Sequence, residues 1–486
     1  MVNKLNIDKS NFTNKLNAIR VEQDPIYILI LAWFLIQAIF FAFTSNYTSN
    51  WYVPPDEGFH KSFIQLYADD SWSPFLDNQD QFGNGWRSVV RIPQYFYHYC
   101  LSFFVRFLSI FGVEDFTVWL RMTNVSLSLM NLVVLTKTMK LLKFSRGVRN
   151  TSLFIFVNLM MYTTLSGSIN YDNALNLFAS LLIYYFVKQS VSPDKTNLIK
   201  ILIIAVFGSV IKFTFLPLIA VTGILILVNF KKYLVKETLG SLFAGIKSFD
   251  KRNLVLALFC FLGLFLFVER YGLNYTKYGT YKPQCEQVHT LETCNKSALF
   301  RRNSAFKVLP VEDRMGVAEF VARWSDRSHK KTVGTLSHRE VRTFTKIERI
   351  TYWLWIAGLL VMLRKICIRG FRNDIVSQVG FIALFYMAVV IYHNYGIYIK
   401  SSTFGIALHG RYLFPIYFYL IALPIFWISE TVRTKFIKQF LALGLVAVFA
   451  FASLPAHIVK GDDKNYLPKY QDEIRSIQEN LIKISS

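Results

Sequence analysis

The strongest constraint on the fold is a series of long apolar segments that recurs through most of the chain. Several of them reach the roughly 20 residues that a helix needs to cross the hydrocarbon core of a bilayer. We therefore predict an all-α polytopic membrane protein, a bundle of about eleven transmembrane helices. The spans are predicted near residues 26–44, 118–142, 151–168, 173–189, 198–211, 213–230, 253–270, 350–365, 375–393, 411–428 and 437–454.

The distribution of charge sets the orientation of this bundle. The net charge is +23, from 54 Lys and Arg against 31 Asp and Glu, and a soluble protein of this charge would suggest a nucleic-acid partner. Here the basic residues collect in alternate loops between spans, such as residues 143–149 and 364–372, so topology and anionic lipid explain them better. The positive-inside rule places the N-terminus in the cytoplasm and the C-terminal tail outside.

The first span is longer than the apolar core of a signal peptide and lacks a small-residue cleavage pattern, so we expect it to be retained. The predicted organisation is a cytoplasmic segment 1–25, a transmembrane bundle 26–454 with large outer loops at 45–117 and 271–349, and an outer tail 455–486. Residues 92–111, in the first outer loop, are apolar but carry His98, Arg106 and many aromatic side chains. This pattern is typical of a surface helix rather than a span.

An acidic turn, Pro54-Pro55-Asp56-Glu57-Gly58-Phe59-His60, follows the first span. Its prolines hold the chain extended, and the apolar residues after it fall on one face of a helix that suits the bilayer surface. Asp56 and Glu57 are therefore candidate catalytic carboxylates beside the membrane. The alternative is that Asp56 only caps the helix and that Glu57 only favours its positive N-terminus.

Two basic residues lie at predicted outer ends of spans, where an unpaired cation is costly. Arg411 begins a span in His409-Gly410-Arg411-Tyr412-Leu413-Phe414-Pro415, and its planar guanidinium suits phosphate oxygens. Lys212 lies between two apolar runs. The alternative for Arg411 is an ordinary interfacial anchor. Asp172, on the same face, either binds a polar substrate group or caps the helix that follows.

Carboxylates and cations on one face of a membrane bundle suit group transfer from a lipid-linked phosphate. Arg411 and Lys212 would stabilise the departing phosphate, and a carboxylate would deprotonate the attacking hydroxyl. The sequence contains no Walker loop, dinucleotide fingerprint or Gly-Xaa-Ser-Xaa-Gly elbow, which argues against a nucleotide-driven enzyme.

Two of the five cysteines, Cys285 and Cys294, lie close together in the second large outer loop. We predict a disulfide between them, because an outer loop lies in an oxidising compartment. The alternative is a zinc site that includes His289.

Pro55, Asp56, Glu57 and His60 form a Pro-Asp-Glu-Xaa-Xaa-His motif that resembles the GT-C superfamily of polyprenyl-phosphate-sugar-dependent glycosyltransferases. Within it, the chain is similar to the DUF2142 group, which shares a turn like Asn170-Tyr171-Asp172-Asn173 and a late Gly-Arg-Tyr-Xaa-Xaa-Pro motif, here residues 410–415. The resemblance runs from about Trp51 to Pro415. The chain also resembles, in size and type, the bacterial enzymes that add glucose to the O-antigen of lipopolysaccharide.

The resemblance implies a GT-C-type bundle with juxtamembrane helices in a periplasmic first loop, set in the bacterial inner membrane. It implies an inverting transfer of one sugar from a polyprenyl-phosphate donor to a hydroxyl of a surface glycan. Asp56 would be the base, with Glu57 as the second catalytic carboxylate, and Glu57 and His60 would position the base or bind the acceptor substrate. Arg411, Tyr412 and Lys212 would bind the donor, and the role of Asp172 stays open because its turn departs from a plain Gly-Asp. With few further acidic residues nearby, we expect a metal-independent site without a cofactor.

Two other functions fit a membrane bundle of this kind. A transporter or flippase of lipid-linked sugars needs polar residues through the middle of the bundle, whereas the charges here lie mostly at one end. A polysaccharide polymerase or ligase also uses polyprenyl carriers at the outer face, but it typically relies on paired arginines and a histidine.

Overall fold

The computed structural model describes residues 24–46, 56–70, 72–75, 94–230, 251–296, 298–306, 309–336, 339–340, 345–370, 374–405, 410–450, 454–460 and 466–485. The regular structure of these residues is helical, apart from one antiparallel pair of two-residue strands, Thr335–Leu336 (β1) and Arg339–Glu340 (β2). The predicted all-α fold class is confirmed. Pro54, Pro55 and His409, and most of the predicted segment 1–25, lie outside the described residues.

Seven helices in the described part of the chain are long and apolar enough to cross a bilayer, as expected of a multi-pass membrane protein. They cover Pro25–Thr44, Thr117–Leu141, Tyr171–Val191, Asn253–Tyr278, Glu348–Arg369, Ile375–Ser401 and Gly410–Thr431. Three shorter apolar helices cover Phe96–Ile110, Thr196–Ile211 and Phe213–Asn229. The total of about eleven spans stays a prediction.

The first half of the chain forms nine α-helices within the described residues, and a 3-10 turn at Phe213–Phe215 precedes the ninth. They are α1 Pro25–Thr44, α2 Glu57–Asp70, α3 Phe96–Ile110, α4 Thr117–Leu141, α5 Arg146–Val157, α6 Met160–Ser166, α7 Tyr171–Val191, α8 Lys195–Ile211 and α9 Leu216–Phe230. The predicted span 151–168 is interrupted between α5 and α6. At this break the side chain of Asn158 donates to Phe154 O at 2.7 Å and accepts from Trp33 Nε1 at 3.0 Å.

The second half begins with α10 Lys251–Phe267, which runs through a π-helical turn at Val268–Gly272 into α11 Leu273–Tyr278. The second outer loop carries α12 Cys285–Val288, α13 Leu291–Asn295, α14 Ala298–Ser304, a 3-10 turn at Val311–Asp313 and α15 Val317–Gly334. The remaining helices are α16 Thr345–Arg369, α17 Ile375–Ser401, α18 Phe414–Thr431, α19 Lys435–Ala450, α20 Leu454–Lys460 and α21 Pro468–Ser485, with a 3-10 turn at Gly410–Leu413 before α18.

The two helices of the predicted first outer loop, α2 and α3, pack against each other. Arg106 of α3 closes the end of α2 by donating to Tyr67 O at 2.7 Å and Ala68 O at 3.0 Å, and its guanidinium lies 3.8 Å from the ring centroid of Trp72. With 15 residues, α3 is about 22 Å long, which is short for a roughly 30 Å hydrocarbon core. This length suits the predicted surface helix.

Helix α7 packs extensively against both α4 and α8. Helices in lipid gain little from burying apolar surface against one another, so close packing and hydrogen bonds between helices hold them. The contact of α4 with α7 includes Asn124 and Ser128, whose side chains hydrogen-bond to the Asn173 side chain.

In the second outer loop, α15 packs against the 3-10 turn Gly410–Leu413. A Cβ atom added at Gly410 would lie 1.8 Å from Thr332 Oγ1 and 2.6 Å from Ser328 O, so only glycine permits this approach. Cys285 and Cys294 of the same loop are joined by a disulfide, which leaves neither thiolate for a zinc ion.

Candidate active site

Four charged side chains from distant parts of the chain converge at one end of the bundle. Asp56 precedes α2, Asp172 lies in the first turn of α7, Lys212 ends α8, and Arg411 lies in the turn before α18. Asp172, Lys212 and Arg411 are buried, and the side chain of Asp56 is 18% exposed. Two carboxylates and two cations thus share a small, largely dry volume in which charges interact strongly.

Arg411 connects the two carboxylates. Its Nη2 donates to Asp56 Oδ2 at 2.6 Å, and its Nε lies 3.6 Å from Asp172 Oδ2. The latter distance is too long for a hydrogen bond, and Nε and Nη1 are both buried without a hydrogen-bond partner among the described residues. A buried guanidinium with spare donors is unusual, since buried donors normally have partners.

Lys212 forms an ion pair with Asp172 between two aromatic rings. Its Nζ donates to Asp172 Oδ1 and lies 4.6 Å from the ring centroid of Tyr171 and 4.7 Å from that of Tyr412. Such distances are within the range of cation–π attraction. Tyr412, predicted to bind substrate, therefore lines the site through its ring.

The backbone of Asp56 is in the left-handed region, with φ of +64°. This conformation is uncommon for residues other than glycine and carries strain, although aspartate tolerates it better than most. Its carbonyl oxygen accepts a hydrogen bond from His60 N at 3.0 Å, which starts α2. Asp56 therefore precedes the helix, as a capping residue does, while its side chain pairs with Arg411.

Glu57 lies deeper than Asp56 and faces a different arginine. Arg121 of α4 donates from Nε to Glu57 Oε1 at 2.8 Å and from Nη2 to Oε2 at 2.6 Å. We call this the closed pair, because both carboxylate oxygens are engaged, and we call Asp56–Arg411 the open pair. Sequence analysis missed Arg121, although an arginine inside a predicted span was a usable signal.

His60 is buried beside the site and contacts a second histidine. Its Nδ1 lies 2.8 Å from His98 Nε2, and its ring is 4.6 Å from that of Tyr171. One of these two nitrogens must donate and the other must accept. The two imidazoles are therefore not both cationic in this arrangement. His60, which was predicted to bind substrate, thus contacts the site through the ring of Tyr171.

The N-cap of α7 is Asn170 and not Asp172. The side chain of Asn170 accepts a hydrogen bond from Asp172 N at 2.9 Å and is the N-cap of α7. The Asp172 carboxylate is therefore directed to Lys212 and Arg411 instead of to its own helix.

A cavity of about 390 Å³ lies elsewhere, between α5, α16, α18 and α19. Most of its lining is apolar, and it includes none of the four charged residues. The candidate site is defined by its charges and not by this cavity.

Comparisons with known proteins give structural similarity only. No family model matches the chain, and no curated protein matches it. Among solved structures, the chain is similar to ArnT from Cupriavidus metallidurans in the apo state, with a TM-score of 0.46, 13% identity, and coverage of 86% of this chain and 62% of that chain. It is also similar to the same protein bound to undecaprenyl phosphate, with a TM-score of 0.47, 15% identity, and coverage of 92% and 67%.

Proposed function

We propose that the chain is a membrane glycosyltransferase of the GT-C type. It moves one sugar from a polyprenyl-phosphate donor to a hydroxyl of a surface glycan, such as the O-antigen, at the periplasmic face of the bacterial inner membrane. The observation that carries this proposal is the convergence of Asp56, Asp172, Lys212 and Arg411 at one end of the membrane-spanning helices.

The donor phosphate is the proposed ligand of the two cations. The Nε and Nη1 of Arg411, which have no hydrogen-bond partner in the described part of the chain, offer donors to phosphate oxygens, and a guanidinium binds such oxygens in a planar, directional way. Lys212 adds a second positive charge within the same site. These side chains supply the charge that a metal ion would otherwise provide, so we propose a metal-independent site and expect EDTA to leave transfer unchanged.

Asp56 is the proposed base. The oxygen of the acceptor hydroxyl bonds to the anomeric carbon of the sugar, the bond from that carbon to the phosphate oxygen breaks, and the proton passes to the Asp56 carboxylate. Polyprenyl phosphate leaves, and the anomeric configuration is inverted. The donor phosphate would compete with Asp56 for Arg411, which loosens the open pair when the base is needed.

The location of the site at the end of the spans supports a lipid-linked donor. A polyprenyl chain stays in the bilayer, and its phosphate then lies at the level where the helices end. The donor brings its own activated bond, so the reaction needs no nucleotide, in agreement with the absence of nucleotide motifs from the sequence.

The test is transfer of radiolabelled sugar from polyprenyl-phosphate donors to extracted surface glycan. Asp56→Asn keeps the shape of the side chain but removes the base, and we expect transfer to fall by about 10³-fold or more. Asp326→Asn, which removes a carboxylate from an exposed ion pair with Lys330, is the matched control and should transfer normally.

Three outcomes are informative. Loss of sugar transfer in Asp56→Asn but not in Asp326→Asn supports the proposal. A rate of transfer in Asp56→Asn equal to that of the wild-type protein excludes Asp56 as the base. If the wild-type protein transfers sugar from no donor, the glycosyltransferase proposal fails, and transport of lipid-linked sugars across vesicle membranes is the next assay.

A further inference from the structure

We propose that Arg121 is a positioning residue that fixes Asp56 and Asp172 relative to each other through Glu57. The inference rests on the proposed function, because it assigns these two carboxylates to one reaction site. Arg121 donates hydrogen bonds to Glu57 and to the backbone at the end of α1, so the role proposed for it is positioning and not catalysis.

The closed pair is surrounded by further hydrogen bonds. Besides its two bonds to Glu57, Arg121 donates from Nη1 to Ala42 O at 2.9 Å and to Ser45 O at 3.1 Å. The side chain of Arg121 is 0% exposed and that of Glu57 is 3% exposed. One guanidinium thus joins the end of α1, the start of α2 and the first turns of α4.

Glu57 extends this connection to the segment that carries Asp172. Its Oε1 also accepts a hydrogen bond from Ile169 N at 2.9 Å. Asp56 immediately precedes Glu57, and Ile169 lies three residues before Asp172. The Glu57 carboxylate therefore connects the residue after Asp56 with the backbone three residues before Asp172.

A second contact from α4 holds the same part of α7. Asn124 Oδ1 accepts from Asn173 Nδ2 at 3.0 Å and from the Tyr97 hydroxyl at 2.9 Å. Ser128 Oγ donates to Asn173 Oδ1 at 3.2 Å. Arg121, Asn124 and Ser128 are spaced three and four residues apart, so one face of α4 forms the support on which the start of α7 rests.

The chemistry of the hydrogen-bonded network around Arg121 suits a residue that positions the site carboxylates. A buried ion pair contributes little net stability compared with an apolar pair, but fully satisfied buried networks fix a single arrangement. A misplacement of about 1 Å at a reacting group can reduce a rate by about 10²-fold. Lysine at position 121 would keep the charge, yet its single ammonium cannot reproduce the fork that reaches both the carboxylate and the two carbonyl groups.

The first experiment compares Arg121→Lys with Arg106→Lys, which alters an arginine that also holds α2 but at its far end. We expect Arg121→Lys to lower kcat about 10²-fold with donor KM nearly unchanged, and Arg106→Lys to stay within about threefold of wild type. In an Asp56→Asn background, Arg121→Lys should cause a clearly smaller further loss, because one of the two carboxylates that it positions is already absent. An equal loss in both backgrounds would overturn the proposal in favour of a general structural role.

The second experiment does not depend on turnover. Hydrogen exchange of the intact protein is followed in peptides that contain Asp56 and in peptides that contain Ile169. In Arg121→Lys both segments should exchange faster than in wild type and in Arg106→Lys, since both lose the same support. Unchanged exchange in these segments contradicts the inference, whereas absent sugar transfer by the wild type contradicts the proposed function alone.

Discussion

Asp56 and Glu57 are adjacent in sequence, and each meets a buried arginine, yet the two ion pairs differ in completeness. Glu57 in the closed pair offers both oxygens to Arg121, and that arginine also donates to two backbone carbonyls. In the open pair, Asp56 is bonded through Oδ2, and Arg411 keeps two nitrogens without a hydrogen-bond partner among the described residues. An arginine whose donors are bonded within the protein stabilises the fold, whereas an arginine with donors still available can bind an anion.

The difference has an energetic basis. Buried donors without partners cost about 1–3 kcal/mol each, so the open pair becomes more favourable when a ligand satisfies Arg411. The closed pair has little to gain from a ligand and much to lose from a missing partner. Changes in the open pair should therefore appear mainly in activity, and changes in the closed pair should also appear in stability.

Of the two arginines, that of the open pair should show the larger effect. Arg411→Gln removes the guanidinium proposed to stabilise the departing phosphate, and transfer should fall by about 10²–10³-fold. The affinity of the variant for polyprenyl phosphate, the proposed leaving group, should fall as well. Kinetics and lipid binding are measured beside Arg106→Gln as control, and a wild-type rate in Arg411→Gln would show that the open pair does not meet the donor.

The next effect separates the two carboxylates by stability. Glu57→Gln leaves Arg121 as a buried charge without a counter-ion and should reduce the free energy of unfolding by about 3 kcal/mol. Asp56→Asn should reduce it by about 1 kcal/mol or less, because Arg411 still lies near Asp172. Thermal unfolding in detergent compares the two variants, and equal losses would remove the distinction between the pairs.

A smaller effect is expected at the aromatic side of the open pair. Tyr412 lies 4.7 Å from Lys212 Nζ and 5.6 Å from the Arg411 guanidinium carbon, measured to its ring centroid. Tyr412→Leu should weaken donor binding about fivefold, which corresponds to about 1 kcal/mol of cation–π attraction. Tyr412→Phe retains the ring and should bind normally; if it binds as weakly as Tyr412→Leu, the hydroxyl and not the ring is responsible.

The smallest effect on stability is expected from the exposed ion pair between Lys61 and Asp115, with which the two buried pairs can be compared. Burial raises the pKa of Asp115, but hydrogen bonds from Thr117 and the charge of Lys61 lower it by more than burial raises it. The resulting pKa is about 2. Stability from Asp115 is thus fully present above its usual pKa of 3.8 and is lost as pH falls towards 2. The side chain is 55% exposed, so we expect less than about 1 kcal/mol, measured as the difference in unfolding between wild type and Asp115→Asn from pH 5 to pH 2.

The sequence predicts the members of the open pair better than those of the closed pair. Asp56 and Arg411 are 355 residues apart, but alternation of spans and positive loops places both at the same end of the bundle. Arg121 lies inside a predicted span, where a hydropathy window tolerates one charge without indicating its partner. The break at Asn158 was also missed, because it depends on a contact with Trp33 from another helix.

The contact at Gly410 limits how parts of this protein can be exchanged. Since no side chain fits at position 410 against α15, the second outer loop and the arginine-bearing turn are complementary in shape at this contact. A chimera that imports a foreign loop would have to bring the matching helix surface near Ser328 and Thr332 with it. A change in that loop would therefore require a matching change in the turn, so the two would not diversify independently.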